Sequence, residues 1–495
     1  MLASARLTSS PAVRHAAVAA AGVALAFVVS RAWNLEPRYL VVFVAGGCLA
    51  AVGLGLIAHI RSLLLYVLAF CLAFASIEKS FLVTTDSTFV TSGIAIGPSD
   101  LALIGLYALW FLGICVTRQE RVPRLTTLDK WVFAFWAVHI LSALNSVSPI
   151  LTVYEVVRLG KYVLMYFYIA HNLEWPDLKW IVAGLLFTIA LQSGIALVQA
   201  QTGRLMGVGR TKGAGDLQYE QYTVTNFESV RRAEGTTFDS HALGLFMAMS
   251  LTIPAVLALS PVVRREWRLI AAGMLLVGLP ALAISFARAG WLAFASAVAV
   301  ILLCLASWQR WRRIAMVCGF GATLGVAAVL PFAGKIKQRL FEAPPELISA
   351  RRETIEMALE IWRDSPWTGI GANGYMVALE KNFSIFEGDP YFIPAHNMVA
   401  FVLTEIGIVG LVVFTGFSIA AVLANRRLIR DGDTLVGAFG AALLASLAAF
   451  HVEGITDPIY ATSVTYNLFW FLLGLTGGLT RLANHQTGER EHGRT

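Results

Sequence analysis

The chain has 495 residues, 57% of them hydrophobic and only 14% charged. A soluble fold of this size needs far more charge to cover its surface, so the composition excludes one. The formal charge of +7 does not mark a nucleic-acid binder, because the Lys and Arg fall mostly in loops between apolar runs, which is an orientation signal.

Apolar runs of about 18 residues or more, each long enough to cross a bilayer, recur from end to end. The expected fold class is an all-α polytopic integral membrane protein. About fourteen transmembrane helices are read, at 12–30, 39–58, 62–77, 99–116, 129–146, 151–171, 178–200, 240–260, 267–285, 289–307, 313–332, 397–424, 434–451 and 464–480. The first of these is not read as a cleavable signal peptide, since Arg31-Ala32-Trp33 follows it in place of a small-residue cleavage site. The five cysteines (Cys48, Cys71, Cys115, Cys304 and Cys318) all sit inside apolar runs, and none has metal-ligand or disulfide-framework spacing. No metal or cofactor is expected.

Alternate loops differ in charge. One set contains TRQERVPR, RREWR, WQRWRR and NRRLIR together with both termini, whereas the short loops of the other hold only Arg31, Arg38, Lys79 and Arg288. The positive-inside bias then puts both termini in the cytoplasm. The chain divides into N-terminal spans (1–200), a loop (201–239), a second group of spans (240–332), a large loop (333–396), C-terminal spans (397–480) and a polar tail (481–495) expected to be unstructured. Both long loops face outward, and loops of this length are uncommon without a role.

Within 333–396, RRETIEMALEIWRDSPW places Ile355, Leu359 and Trp362 on one helical face. A helix with that face lies on the membrane surface, with Arg351 or Arg352 beside headgroups, or packs on the protein's own outer surface. The following PWTGIGANGY has glycines for tight turns. Its G-x-G carries no nucleotide signal, because no strand precedes it.

Arg288 stands in SFARAG, where two apolar runs meet almost without a loop. A snorkelling arginine explains that position by itself. Arg231 and Arg232, in ESVRRAEGTTF just before the eighth span, give it company. Three such guanidiniums suit one polyanionic ligand, because each offers phosphate a rigid fork of donors. His396 and Asn397 open PAHNMVAFVLTEIGIVG. Asn397 reads as an N-cap, and a histidine at a helix start is most often structural. Glu405 lies nine residues on, about 180° around the helix from His396, so the two are not a dyad. An acid about 12 Å below the helix start needs a partner or a cavity, and it is expected to hold a neighbouring helix or loop, or to tune a charge there. His451, Glu453 and Asp457 in HVEGITDPIY are read as ordinary solvated residues.

Four of these stretches together resemble the O-antigen ligase and polymerase family of membrane glycosyltransferases. They are RRAEGTTFDSHALGLF, SFARAGWLAF, RRETIEMALEIWRDSPWTGIGANGY and PAHNMVAFVLTEIGIVG, in the family's order. This chain departs in having Ala287 where serine is usual, Gly290 one place late, Ala400 at a usual leucine, and Asp239-Ser240-His241 in place of a His-Pro-Asn-like run. The resemblance covers about residues 225 to 415 and implies a C-type fold in a bacterial inner membrane, with the active site on the periplasmic side. It implies a donor glycan on undecaprenyl diphosphate and an acceptor hydroxyl on a second lipid-linked repeat or on lipid A core. A chain-length regulator and membrane lipids are further implied partners. Arg288, Arg232 and Arg352, with Arg231, would hold the diphosphate, Asn397 and Glu405 would join them in binding diphosphate or glycan, and His396 would deprotonate the acceptor in a metal-independent inverting transfer. A lipid-linked glycan transporter is the competing class. Its sites would sit near the bilayer midplane, whereas the unusual residues here cluster at one boundary.

Overall fold

The computed structural model describes residues 60–84, 91–117, 125–202, 232–237, 239–308, 310–315, 319, 346–386, 393–432, 434–458 and 463–492. The expected spans 12–30 and 39–58, and most of 313–332, lie outside these residues, as does Arg231. The fold is all-α and polytopic. Among the described residues, seven helices are long and apolar enough to cross a membrane.

In chain order the helices are α1 (Ile60–Cys71), α2 (Pro98–Thr117), α3 (Thr127–Ser142), α4 (Pro149–Asn172), α5 (Asp177–Thr202), α6 (Ser240–Ser250) and α7 (Thr252–Leu259). They continue with α8 (Arg265–Ile284), α9 (Arg288–Ser307), α10 (Glu346–Asp364), α11 (Tyr375–Phe383), α12 (Met398–Ile429), α13 (Leu435–Gly454) and α14 (Ser463–His492). Two short strands, β1 (Lys79–Phe81) and β2 (Ile94–Ile96), pair antiparallel with Lys79 opposite Ile96. α14 runs on to His492, into the stretch expected to be an unstructured tail.

The core is a bundle in which α9 packs on α13, α14 on α4, α1 on α5, and α12 on both α13 and α3. Aromatic rings fill its centre, with Phe417 stacked on Phe135 and Trp470, and Phe450 on Phe469. α6 is buried on nearly every residue. It closes onto α9 at a glycine pair: a Cβ added to Gly290 would meet the Gly244 backbone at 2.9 Å, and one added to Gly244 would meet Ala287 Cβ at 2.6 Å. Only paired glycines let two backbones approach so closely. The pinch brings the start of α6 against the start of α9.

The 346–386 segment does not float as a loop. α10 packs on α12 through Thr354, Ala358 and Ile361, which are buried, while Ile355 and Leu359 are half-exposed. The buried face is therefore one residue out of phase with the one expected from the larger side chains. Close approach explains it, since the Thr404 hydroxyl of α12 reaches the Ala358 carbonyl at 2.9 Å, which bulkier residues at 354 and 358 would block. The next loop then inserts into α12 itself. Gly407 leaves helical geometry at φ 69° and ψ −172°. The neighbouring backbone takes up loop hydrogen bonds: Ile370 N donates to Thr404 O, Gly371 N to Glu405 O, and Ile408 N to Pro366 O.

Candidate active site

The polar residues at one end of the bundle are positioned by four junctions. The first is the turn before α6. Gln199 and Gln192, inside the apolar run of α5, accept from the backbone N–H groups of Glu234, Gly235 and Thr236, and Gln199 also donates to the Gly235 carbonyl at 2.8 Å. Ala233 N donates to Ile284 O, which lays this strand of chain along the α8–α9 turn. Arg232 follows it, donating from Nε to the Ser285 carbonyl at 3.2 Å and reaching His241 Nε2 from Nη1 at 3.4 Å.

The second junction is the α8–α9 turn, where Phe286 has φ +50°, a conformation a bulky residue rarely adopts. The tight reversal leaves Arg288 as the first residue of α9. The third is the entrance to α12. Asn397 caps it, accepting from Ala400 N at 3.0 Å and donating to the Ile455 carbonyl at 3.0 Å. That second bond ties His396 to the fourth junction, the end of α13, where Glu453 is buried and Asp457 half-buried.

Arg351 of α10 is the hub. Its charge acts on Arg288, His396 and Asp457 alike. Burial, then the Arg351 cation, push the His396 imidazole down to about 4, against a small upward pull from a hydrogen bond with the Pro394 backbone. His396 is therefore neutral at pH 7 and able to accept a proton. Burial pushes Asp457 up to about 7; Arg351 and Arg232 pull it back, and Asp239 opposes them.

The expected residues thus separate. Arg232, Arg288, His396 and Asn397 stand on adjoining junctions. Arg352 does not join them: it is exposed and paired with Glu356 at 2.7 Å. Adjacent helical residues point about 100° apart, so when the Thr354 face is buried Arg351 turns inward and Arg352 outward. Glu405 is fully enclosed on α12 and accepts from the backbone N–H groups of Tyr375, at 3.4 Å, and Asn373. It anchors the 366–375 loop, one of the tasks expected of it, and these hydrogen bonds run to that loop rather than to the arginines. Of the pair read from the sequence as solvated, Glu453 is buried and Asp457 half-buried. Their proximity to His241, with ligand atoms within 4.8 Å of one another, had no sequence signal, since the residues are more than 200 positions apart. Gln192 and Gln199 did have one: two amides within an otherwise apolar span.

Residues 271–415 match the O-antigen ligase family, and the matched segment runs from α8 through the Arg288 turn, α10 and the entrance of α12. The chemistry of the family is glycan transfer of the ligase and polymerase type, in an integral membrane protein. No curated protein matches the chain. Within the O-antigen ligase segment lie Arg288, Arg351, His396, Asn397 and Glu405; Arg232, His241, Glu453 and Asp457 come to it from outside.

Proposed function

We propose that the chain transfers a glycan from undecaprenyl diphosphate to an acceptor sugar hydroxyl at the periplasmic face of the bacterial inner membrane, polymerising O-antigen or exopolysaccharide repeats. The observation that carries this reading is the half-buried His396 at the entrance of α12, which Asn397 ties to the end of α13, within electrostatic reach of Arg351 as Arg288 also is. Breaking the glycosidic bond puts negative charge on diphosphate oxygens. Guanidiniums fixed at that boundary stabilise the charge as it develops, and need no metal for that step. His396 takes the proton from the attacking hydroxyl. Attack opposite the leaving group inverts the anomeric centre. The lipid tail of the donor stays in the bilayer while its head meets the arginines, which is why the site lies where helices leave the membrane.

Transfer to lipid A core is the second reading, favoured by the ligase description of the matched family. Both are tested by reconstituting the protein with an undecaprenyl-diphosphate oligosaccharide and resolving products on a gel, with His396→Ala and Arg288→Ala alongside. A ladder of longer glycans from the wild type alone supports the polymerase. Product that forms only when lipid A core is supplied supports the ligase. Labelled lipid that crosses the bilayer unchanged in length overturns both in favour of a transporter.

A further inference from the structure

The cluster of His241, Glu453 and Asp457 lies against Arg232, and its chemistry is set by one hydrogen bond. A guanidinium has only donors. Arg232 Nη1 faces His241 Nε2 at 3.4 Å, so Nε2 must present its lone pair and carry no proton. A neutral imidazole with a bare Nε2 holds its proton on Nδ1. Nδ1 is the atom that faces Asp457 Oδ2, at 3.6 Å. Arg232 thus donates into His241, and the Nδ1–H of His241 faces the Asp457 carboxylate at 3.6 Å, close enough for its charge to act but beyond hydrogen-bond distance.

Both ends of this arrangement are fixed by the fold. Asp457 is held at the end of α13 by its own N–H, which donates to the Glu453 carbonyl at 3.0 Å. His241 sits in the first turn of α6, where its N–H donates to Asp239 at 3.0 Å. Glu453, Asp239 and Arg351 also act on this patch. The three donor atoms of His241, Glu453 and Asp457 are close enough to bridge a cation. The tautomer argues against that use, because a protonated Nδ1 has no lone pair for a metal, and Arg232 and Arg351 already supply positive charge.

We propose that Asp457 and His241 form a positioning relay that orients the Arg232 guanidinium toward the donor diphosphate. The relay rests on the reading of Arg232 as a diphosphate ligand. The Asp457 charge favours the Nδ1–H tautomer, and that tautomer offers Arg232 an acceptor at Nε2. No proton leaves the three side chains during the reaction. The relay's contribution is the aim of one cation, which a charge-assisted hydrogen bond makes worth about tenfold in binding.

Two measurements on the full-length protein separate this idea from the reading beneath it. The first is the tautomer, read from the ring-nitrogen shifts of 15N-labelled histidine, with the His241 signals assigned by their loss in His241→Gln. The Nδ1–H form is expected in wild type, shifting toward Nε2–H in Arg232→Ala. An Nε2–H form in wild type overturns the relay whatever the substrate. The second is the affinity for undecaprenyl diphosphate in nanodiscs. His241→Phe and Asp457→Ala are expected to bind about tenfold more weakly. His241→Gln, whose amide offers Arg232 an acceptor and Asp457 a donor, is expected to bind nearly as wild type. In an Arg232→Ala background the Asp457→Ala loss is expected to vanish, because the two act as a unit. Additive losses mean a merely structural role and overturn the relay. Wild-type affinity that requires added Mg2+ or Mn2+, lost in Asp457→Ala, assigns the cluster to a cation and also overturns it. Arg232→Ala binding as tightly as wild type removes Arg232 from the diphosphate site, and the relay's proposed purpose with it. The tautomer result in that case still reports whether the three side chains are joined.

Discussion

An imidazole held down to about 4 by burial and by Arg351 is unprotonated at neutral pH, as a base must be, but it is also a weak base. A donor diphosphate bound at the arginines would change that, because its negative charge offsets the like-charge repulsion that depresses His396. The sign is fixed by the cause: neutralising a neighbouring cation raises the pKa of a histidine. Binding the donor therefore strengthens the base at the time it is needed. The rate of His396 modification by diethyl pyrocarbonate against pH, read by mass spectrometry, is expected to show a midpoint near 4 in the free protein and a higher one with undecaprenyl diphosphate bound. Arg351→Gln is expected to raise the midpoint without any ligand, and to weaken donor binding as well. An unchanged midpoint in Arg351→Gln would mean that burial alone sets the value. Arg352→Gln, whose only change is loss of an exposed pair with Glu356, is expected to leave both measurements at their wild-type values.

At the scale of elements, the site depends on a helix that opens to admit a loop. Gly407 occupies backbone space that is essentially reserved for glycine, and a Cβ there would lie 2.2 Å from the Trp367 carbonyl oxygen. Gly369 faces the same junction from the loop side, at φ +68° and 2.4 Å from the Glu405 backbone. Gly407→Ala is expected to cost about 3 kcal/mol or more, measured as a fall in the unfolding midpoint in detergent. It would also displace α10, and Arg351 with it. Asn397→Ala should cost only about 1 kcal/mol of cap energy, yet it also frees the entrance of α12 from Ile455, so activity should fall further than stability. These elements show where the sequence was legible and where it was not. The Asn397 cap, the Arg288 turn and the need of Glu405 for a partner follow from local rules about caps, apolar runs and buried acids. The phase of α10 did not, because it depends on how near α12 can come, and small residues at 354 and 358 decide that against the larger Ile355 and Leu359. The opening at Gly407 was hidden within an unbroken apolar run, since hydropathy does not register a glycine's φ.

For the whole molecule, what the sequence could convey was the class of fold and the end of the bundle where chemistry collects; what it withheld was long-range assembly. Glu453 and Asp457 look solvated in a short loop until Asn397 is seen to bind that loop and α6 to close over it. Charge bias, by contrast, is a sum over many loops and survives ignorance of any one contact. The proposed orientation has Arg264–Arg268 and Arg426–Arg430 on the cytoplasmic side, and the start of α9, the entrance of α12 and the end of α13 on the other. The two exposed positions Ile455 and Arg264 stand on opposite sides under that assignment. In a background without the native cysteines, Ile455→Cys is expected to react with a membrane-impermeant maleimide once the outer membrane alone is breached, and Arg264→Cys only after the inner membrane is disrupted. The reverse pattern would place His396 and the arginines in the cytoplasm. There they could not meet a glycan already carried across the membrane, so this one result bears on the topology and on the proposed substrate together.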